Sequence, residues 1–287
     1  MSLDFGEANE ISGKSNKHRE AIFAKSGGMC IYCGGANLAT TLDHMPPIVM
    51  FRARARPSGL EFPSCIACNN GASAADLVAA CIGRIYPDIS SKEEEVEITK
   101  IMAALQRDVP GFLEELRPPR ASEKLMLRRL GVTSGGGLRI DGPIALSHLE
   151  AFGARLGFAM HFEATGMLVP PEGGVAVRVY SNTEIFEGKL PEEIFEHLPK
   201  PDTLRQGKIN VEEQFLYSVI KTDKSQMSMS YASFRQSFAL LAFSTNDRTR
   251  MHQNGVRMFL PGSLATKNDR VFRSGFSVYG MNWRGWR

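Results

Sequence analysis

The sequence predicts an α+β protein in which a small zinc-stapled domain precedes a larger α+β domain with an antiparallel sheet. Four cysteines in two CxxC pairs, Cys30/Cys33 and Cys65/Cys68, lie about 30 residues apart and frame a segment too short to bury a core of its own. Farther along, apolar residues recur at helical spacing over residues 92–130 and 146–165, whereas β-prone runs dominate from residue 215 onward. Helical patterns followed by strand patterns indicate that the larger domain is α+β.

The predicted domains divide the 287 residues unequally. Residues 1–14 are expected to be a flexible lead-in, residues 15–90 the zinc-stapled domain and residues 91–287 the α+β domain, with a boundary at 87–91. A hydrophobic content of 43% with 23% charged residues is typical of soluble globular proteins. The N-terminus lacks a signal-peptide pattern, and no apolar run approaches the length of a membrane span. We therefore expect a cytoplasmic protein without a membrane partner.

The zinc-stapled domain is expected to contain a hairpin between two helices. Residues 16–25 predict a short helix before the first cysteine pair, and residues 39–43 predict the first hairpin strand, which Pro46-Pro47 ends. Because Asp43 precedes His44 on this strand, their side chains are expected to point to opposite faces. Residues 62–64 lead into the second cysteine pair. Ser73 is a candidate cap for a helix with apolar residues at helical spacing, namely Leu77, Val78, Cys81 and Ile82.

The larger domain is expected to begin with helices and to end with strands. Residues 92–117 predict helix with a break at Pro110-Gly111, and residues 146–165 predict a long helix. A strand is predicted at 175–180 and a helix at 184–198. The remaining predicted strands follow the same β-prone pattern and cover residues 215–220, 226–234, 238–244, 256–260 and 276–279.

The CxxC pairs are interpreted as ligands of one structural Zn²⁺. In a reducing compartment, cysteines at this spacing bind metal in preference to forming disulfides. Four thiolates fill a tetrahedral zinc ion and leave no open coordination position, so this ion is expected to serve folding and not chemistry. The fifth cysteine, Cys81, lies on an apolar helical face and is predicted to be a core residue.

The formal net charge of +3 is concentrated at the two ends of the chain. Residues 14–86 contain 8 Lys and Arg against 4 Asp and Glu, and residues 201–287 contain 13 against 6. This distribution suits a polyanionic partner, with a solvated surface as the alternative. Arg52, Arg54 and Arg56 alternate, which predicts three guanidinium groups on one side of an extended segment, either on substrate phosphates or in a solvated loop.

The C-terminal tail combines aromatic and basic residues. Tyr279, Trp283, Arg284, Trp286 and Arg287 follow one another closely. Such a tail can stack bases and bind phosphate, or it can dock its tryptophans on the domain. The sequence leaves both alternatives open.

The segment Cys-Ile-Tyr-Cys-Gly … Leu-Asp-His-Met-Pro-Pro … Cys-Ile-Ala-Cys-Asn-Asn resembles the HNH endonucleases of the ββα-metal class over roughly residues 15–85. The resemblance implies a treble-clef-like fold in which His44 is the general base that deprotonates water. It also implies that Asp43 and Asn69 hold one Mg²⁺ or Mn²⁺, with Asn70 and Asp76 as reserve ligands. A helix cap is the structural alternative for Asn69.

By this resemblance the chain is expected to be a metal-dependent endonuclease that leaves 5′-phosphate and 3′-hydroxyl ends. Its partner would be nucleic acid, with DNA favoured over RNA, and analogy suggests a setting in restriction or anti-phage defence. The sequence also leaves open whether the chain forms a homodimer or binds a partner protein from a defence system.

The chain departs from the HNH pattern at two positions. Leu60 stands where the middle Asn of the signature is expected, and Gly71-Ala72-Ser73 replaces a common Lys. Two further hypotheses therefore remain: a non-catalytic zinc-stapled module that binds nucleic acid, and a protein adaptor. The role of residues 91–287 is not predicted beyond sensing, targeting or gripping a substrate.

Overall fold

The computed structural model of the chain describes residues 6–85, 91–118, 137–222, 226–250 and 257–265, together with residues 125 and 128. Its helices are α1 (Gly6–Lys25), α2 (Ile66–Gly71), α3 (Ser73–Ile85), α4 (Lys92–Asp108), α5 (Phe112–Glu115), α6 (Pro143–Thr165), α7 (Asn182–Phe186) and α8 (Glu193–His197). Its strands are β1 (Thr41–His44), β2 (Glu61–Ser64), β3 (Gly174–Ser181), β4 (Arg205–Gln206), β5 (Ile209–Asn210), β6 (Phe215–Lys221), β7 (Met227–Phe234) and β8 (Phe238–Thr245).

Strands β1 and β2 form the antiparallel hairpin that carries the Asp-His dipeptide. Asp43 is the partner of Phe62 and His44 is the partner of Glu61. Because successive side chains of a strand point to opposite faces, Asp43 and His44 face different surroundings. Asp43 is buried, whereas His44 is partly exposed. This agrees with the opposite faces expected from the sequence.

Helix α6 lies at the centre of the molecule. Every residue from Ser147 to Phe162 is buried, so the helix is enclosed on all sides and shows no single apolar stripe. A Cβ atom at Gly153 would lie 2.5 Å from Val177 Cγ1, and one at Gly157 would lie 2.5 Å from Val175 Cγ1. These two glycines therefore permit the close approach of α6 to strand β3. Of the helices that the structure describes, none is long and apolar enough to cross a membrane.

The main sheet has four antiparallel strands in the order β3-β8-β7-β6. Its inner face packs on α6, and its outer face is covered by a smaller apolar cluster that includes Leu190, Ile194 and Leu198. Strand β8 is buried along its whole length because both faces of the sheet are covered there. Mixed helices and antiparallel strands make the described part of the chain α+β, as the sequence predicts.

One hydrophobic core spans both predicted domains. It runs from the cysteine pairs and α3 through α6 to the inner face of the main sheet. Residues on either side of the predicted boundary at 87–91 thus bury their apolar surface together. The boundary itself lies mostly outside the described residues, and the division into domains stays a prediction.

Three local predictions are corrected by the structure. Helix α1 begins at Gly6 and not at Asn16, so residues 6–14 are helical although they show no apolar stripe that predicts it. The single helix predicted over 184–198 is two short helices, because Gly188 adopts a left-handed conformation (φ 69°) and Pro191 follows it. In the predicted strand at 256–260, the described residues 257–260 contribute only one bridge, between Phe259 and Val175.

Other predicted elements match or fall outside the described residues. The expected break at Pro110-Gly111 separates α4 from α5, and Gly111 has a left-handed conformation. Beyond residue 118, the helical region predicted to extend to residue 130 is described only at residues 125 and 128. The strand predicted at 276–279 and the aromatic-basic tail lie outside the described residues.

Acidification is expected to destabilise the fold through His161. Its side chain is fully buried, with Nδ1 2.9 Å from Ser228 Oγ, and burial lowers the pKa of His161 to about 4. Between pH 6.5 and pH 4 the unfolded chain is protonated at this residue while the folded chain is not, so the free energy of unfolding falls as the pH falls. His161→Gln should abolish this part of the loss, which is at most about 3 kcal/mol.

The measurement is urea unfolding at pH 7 and at pH 4 for the native sequence, His161→Gln and the exposed-site control His197→Gln. The control should follow the native sequence. Equal losses of stability in all three proteins would contradict the assignment to His161.

Candidate metal centre and hairpin site

The structure brings the four paired cysteines together. Their sulfur atoms all lie within 4.8 Å of one another, and all four residues are buried. Cys65 is the N-cap of α2, where its Sγ accepts a hydrogen bond from the Cys68 backbone N–H. The two CxxC pairs are joined to the hairpin, since the Ile31 N–H donates to the Pro63 carbonyl in the neighbouring strand. Four thiol groups around one point can hold a metal ion such as zinc.

The cysteines of the cluster differ in their acidity, because burial raises the pKa of Cys33 and the hydrogen bond to Cys30 raises the pKa of Cys68. A hydrogen bond from the Cys68 thiol lowers the pKa of Cys30 to about 5, despite the opposing effect of burial. Burial raises the pKa of Cys81 to about 12, and no polar partner compensates. Cys81 is fully buried on α3, so it is a core residue, as predicted.

On the inner face of the hairpin, Asp43 binds the guanidinium group of Arg155 from α6. Arg155 Nε donates to Asp43 Oδ2 over 2.9 Å, and Arg155 Nη2 donates to Asp43 Oδ1. The Tyr32 hydroxyl also donates to Asp43 Oδ2, and the Arg155 guanidinium lies over the Tyr32 ring, 5.5 Å from its centroid. Both carboxylate oxygens of Asp43 are therefore engaged inside the protein.

Asn69 and Asp76 bind the same guanidinium group. Arg155 Nη2 donates to Asn69 Oδ1 over 3.0 Å, and Arg155 Nη1 donates to Asp76 Oδ2 over 2.7 Å. Asn69 Nδ2 donates to Thr41 Oγ1, which orients the amide oxygen toward Arg155. Because Asn69 lies within α2 and Cys65 is the cap of that helix, the helix-cap alternative for Asn69 is wrong.

Asp76 retains one unpaired oxygen. Its Oδ1 is buried and has no hydrogen-bond partner among the described residues. Burial raises the pKa of Asp76 to about 6, although the charge of Arg155 acts in the opposite direction. The site thus combines two buried carboxylates with one guanidinium, which leaves one negative charge uncompensated when both acids are ionised.

The divalent cation that the HNH resemblance implies can be tested against this arrangement. By chemical type, the oxygens of Asp43, Asn69 and Asp76 suit a hard cation such as Mg²⁺ or Mn²⁺. A single nitrogen, Arg155 Nη2, already contacts both Asp43 Oδ1 and Asn69 Oδ1. The guanidinium therefore occupies the position between these oxygens, and a divalent cation does not fit there while Arg155 remains.

Sequence reasoning missed Arg155. The available signal was one arginine within an otherwise apolar stretch of the long helix, Ala-Phe-Gly-Ala-Arg-Leu-Gly-Phe-Ala-Met. Such a residue, only 2% exposed, requires an acidic partner in the interior. The sequence alone does not say which of the many acids supplies that partner.

His44 lies on the outer face of the hairpin, with 37% of its side chain exposed. Its Nε2 is 3.9 Å from Glu61 Oε1, and His18 Nε2 is 2.7 Å from Glu61 Oε2. Burial lowers the pKa of His44, the charge of Arg56 lowers it further, and the carboxylate of Glu61 raises it. The imidazole is therefore neutral at pH 7, the form in which it can accept a proton.

Arg52, Arg54 and Arg56 do not lie on an extended segment, so the predicted geometry of this segment is wrong. Residues 52–54 form a 3₁₀ turn in which Ala53 and Arg54 have positive φ angles. Arg52 forms ion pairs with Glu94 at 3.1 Å and with Glu213 at 3.3 Å. Glu94 and Glu213 are distant from Arg52 in sequence. The alternation of arginines over residues 52–56 therefore could not predict these ion pairs.

The Arg54 side chain is exposed, and among the described residues its guanidinium group has no hydrogen-bond or ion-pair partner. Arg56 turns inward and binds the loop between β1 and β2. Its guanidinium donates to the carbonyls of Pro46, Pro57 and Gly59 over 2.7–2.8 Å. The Leu60 carbonyl accepts from the Met45 N–H at 3.0 Å, so the loop closes without the side chain of an Asn at position 60.

The chain was compared with protein-family models, with curated proteins and with solved structures. None of the three comparisons returned a match. The function must therefore be argued from the site itself.

Removal of the cysteine-bound metal is expected to unfold the N-terminal hairpin. Most buried apolar residues between Met29 and Gly71 pack into the core shared with α3 and α6, so an ion held by the four cysteines would be the direct link between the two halves of the segment. Cys68→Ser should lose about one equivalent of zinc per chain and several kcal/mol of stability.

Zinc content by mass spectrometry and thermal unfolding test this expectation. The matched control is Cys81→Ala, which removes a buried cysteine outside the cluster and should keep its zinc. Unchanged folding of residues 29–71 after verified removal of all zinc would contradict a structural role for the ion.

Proposed function

We propose that the chain is a nuclease of the HNH type that hydrolyses nucleic-acid phosphodiester bonds, with DNA favoured over RNA. The observation that carries the proposal is the convergence of Asp43 Oδ1 and Asn69 Oδ1 on one cationic nitrogen, with His44 on the opposite side of the same strand. If Arg155 Nη2 left this position, one end of the hairpin would offer both oxygens for a cation and a proton acceptor.

His44 would act as the general base. A partly exposed neutral imidazole can take a proton from a water molecule that attacks phosphorus. Glu61, its cross-strand partner, would stabilise the imidazolium that forms, since its carboxylate lies 3.9 Å from His44 Nε2. Glu61 is itself held by His18 on α1.

Asp43 and Asn69 are the residues that would hold the divalent cation of an HNH enzyme, and the cation would neutralise charge on the reacting phosphate. The proposal requires Arg155 Nη2 to leave the position between them. Exposed Arg54, in the loop that follows β1, is available to bind the substrate backbone. Restriction or anti-phage defence remains a proposal by analogy.

A second candidate function has a specific observation in its favour. Because Arg155 fills the cation position with a fully buried guanidinium, the hairpin can be a non-catalytic module that binds nucleic acid or a partner protein. In that case His44 would have no base function, and its replacement would leave binding intact.

Cleavage of supercoiled plasmid separates the two functions. The native sequence, His44→Ala and the remote control His197→Ala are incubated with and without added Mg²⁺ or Mn²⁺. Leaving out the added Mg²⁺ or Mn²⁺ is preferable to adding a chelator, because a chelator would also remove the cysteine-bound ion. We expect metal-dependent nicking that falls about 10²–10⁴-fold in His44→Ala and is unchanged in His197→Ala.

Equal cleavage by the native sequence and His44→Ala would contradict the role of His44. If neither DNA nor RNA is cleaved but both proteins shift nucleic acid equally in gels, the non-catalytic module is correct.

A further inference from the structure

We infer that Arg155 takes the place of the divalent cation in the free protein, so that the Asp43–Asn69 position is an arginine-filled cation site. The inference rests on the proposed assignment of Asp43 and Asn69 as cation-binding residues. It goes beyond that assignment because it names Arg155 as the group that controls the access of a cation to the site. It also predicts that the free chain binds no Mg²⁺ or Mn²⁺ there.

The guanidinium group of Arg155 is fully engaged at this position. Arg155 uses all three of its guanidinium nitrogens: Nε and Nη2 on Asp43, Nη2 on Asn69 and Nη1 on Asp76. A Mg²⁺ ion at the Nη2 position would need the Asn69 oxygen, now 3.0 Å away, to move by about 1 Å to reach bonding distance. The Nη2 nitrogen thus occupies a position between two oxygens that are of the type a hard cation binds.

The charge of the residues around Arg155 also suits a cation. Asp43 and Asp76 contribute two negative charges, and Asn69 contributes a neutral amide oxygen. If the guanidinium were removed, the residues would form an oxygen-rich set of charge −2 that matches a single divalent ion. Asp76 Oδ1 is buried without a hydrogen-bond partner among the described residues, so the acidic set is not fully satisfied by the guanidinium.

The packing of α6 on β3 keeps Arg155 in place. Gly153 and Gly157 hold α6 against β3, and a helix turns by about 200° over two residues, so Arg155 lies on the opposite face, toward the hairpin. The close contact with β3 prevents a shift of the helix. A cation can enter only if the Arg155 side chain itself rotates away from Asp43, for example when a nucleic-acid phosphate offers the guanidinium another partner.

The test uses the full-length chain with its cysteine-bound ion and no nucleic acid. Mn²⁺ is the probe because it prefers oxygen ligands to thiolates and its binding is visible by electron paramagnetic resonance. The native sequence is expected to bind no Mn²⁺ at this site, and Mn²⁺ should not change its Tm. Arg155→Lys, which keeps the positive charge, should be equally insensitive to Mn²⁺.

Arg155→Gln should have a lower Tm than the native sequence, and Mn²⁺ should raise that Tm by several degrees and bind at one equivalent per chain. Adding Asp43→Asn to Arg155→Gln should abolish this response. The matched control is Arg84→Gln, which removes a guanidinium of 1% exposure that pairs with Glu97, and whose loss should lower the Tm without a Mn²⁺ response.

Stoichiometric Mn²⁺ binding by the native sequence that is lost in Asp43→Asn would overturn the inference, whatever the folding of the Arg155 variants. An Arg155→Gln protein that folds and ignores Mn²⁺ would also overturn it. Cleavage activity does not enter these readouts. A Mn²⁺ response in Arg155→Gln without cleavage by any variant would support the arginine-filled site and reject the nuclease.

Discussion

The buried ion pair between Asp43 and Arg155 is the interaction on which the arrangement of this molecule depends. It joins the hairpin beside the cysteine cluster to the central helix across 112 positions of sequence, and Asn69, Asp76 and Tyr32 complete its hydrogen bonds. Removing one partner of such a pair typically costs about 3–5 kcal/mol, because the other charge is left buried and unpaired. The pair therefore fixes which surface of the hairpin meets α6 more than it adds net stability.

This interaction divides the hairpin into two chemically different faces. The inner face has acids whose charge is used inside the protein, and the outer face has His44, Glu61 and His18 near solvent. The alternation of side chains along β1 produces this division from two adjacent residues.

Much of the local structure could be predicted from the sequence. The CxxC spacing predicts the cysteine cluster, alternation predicts opposite faces for Asp43 and His44, periodicity predicts α6, and β-prone runs predict all four strands of the main sheet. These features depend on residues close in sequence or on ligand chemistry with a fixed geometry. Their prediction needs no knowledge of the tertiary contacts.

The features that could not be predicted depend on contacts between residues that are distant in sequence. Nothing near Arg52 in sequence indicates that Glu94 and Glu213 bind it, and nothing near Asp43 indicates Arg155. The loop at Leu60 shows the same limit, because Arg56 closes that loop with hydrogen bonds to backbone carbonyls. The absence of a signature residue therefore does not show whether another side chain performs its structural role.

Anomalous scattering from crystals soaked in Mn²⁺ would test the arginine-filled site most directly. Data collected at the zinc edge should show one peak among Cys30, Cys33, Cys65 and Cys68, and data with strong manganese scattering should show no peak between Asp43 and Asn69, where guanidinium density is expected. A manganese peak at that position, with the Arg155 side chain turned away from Asp43, would contradict the proposed role of the arginine.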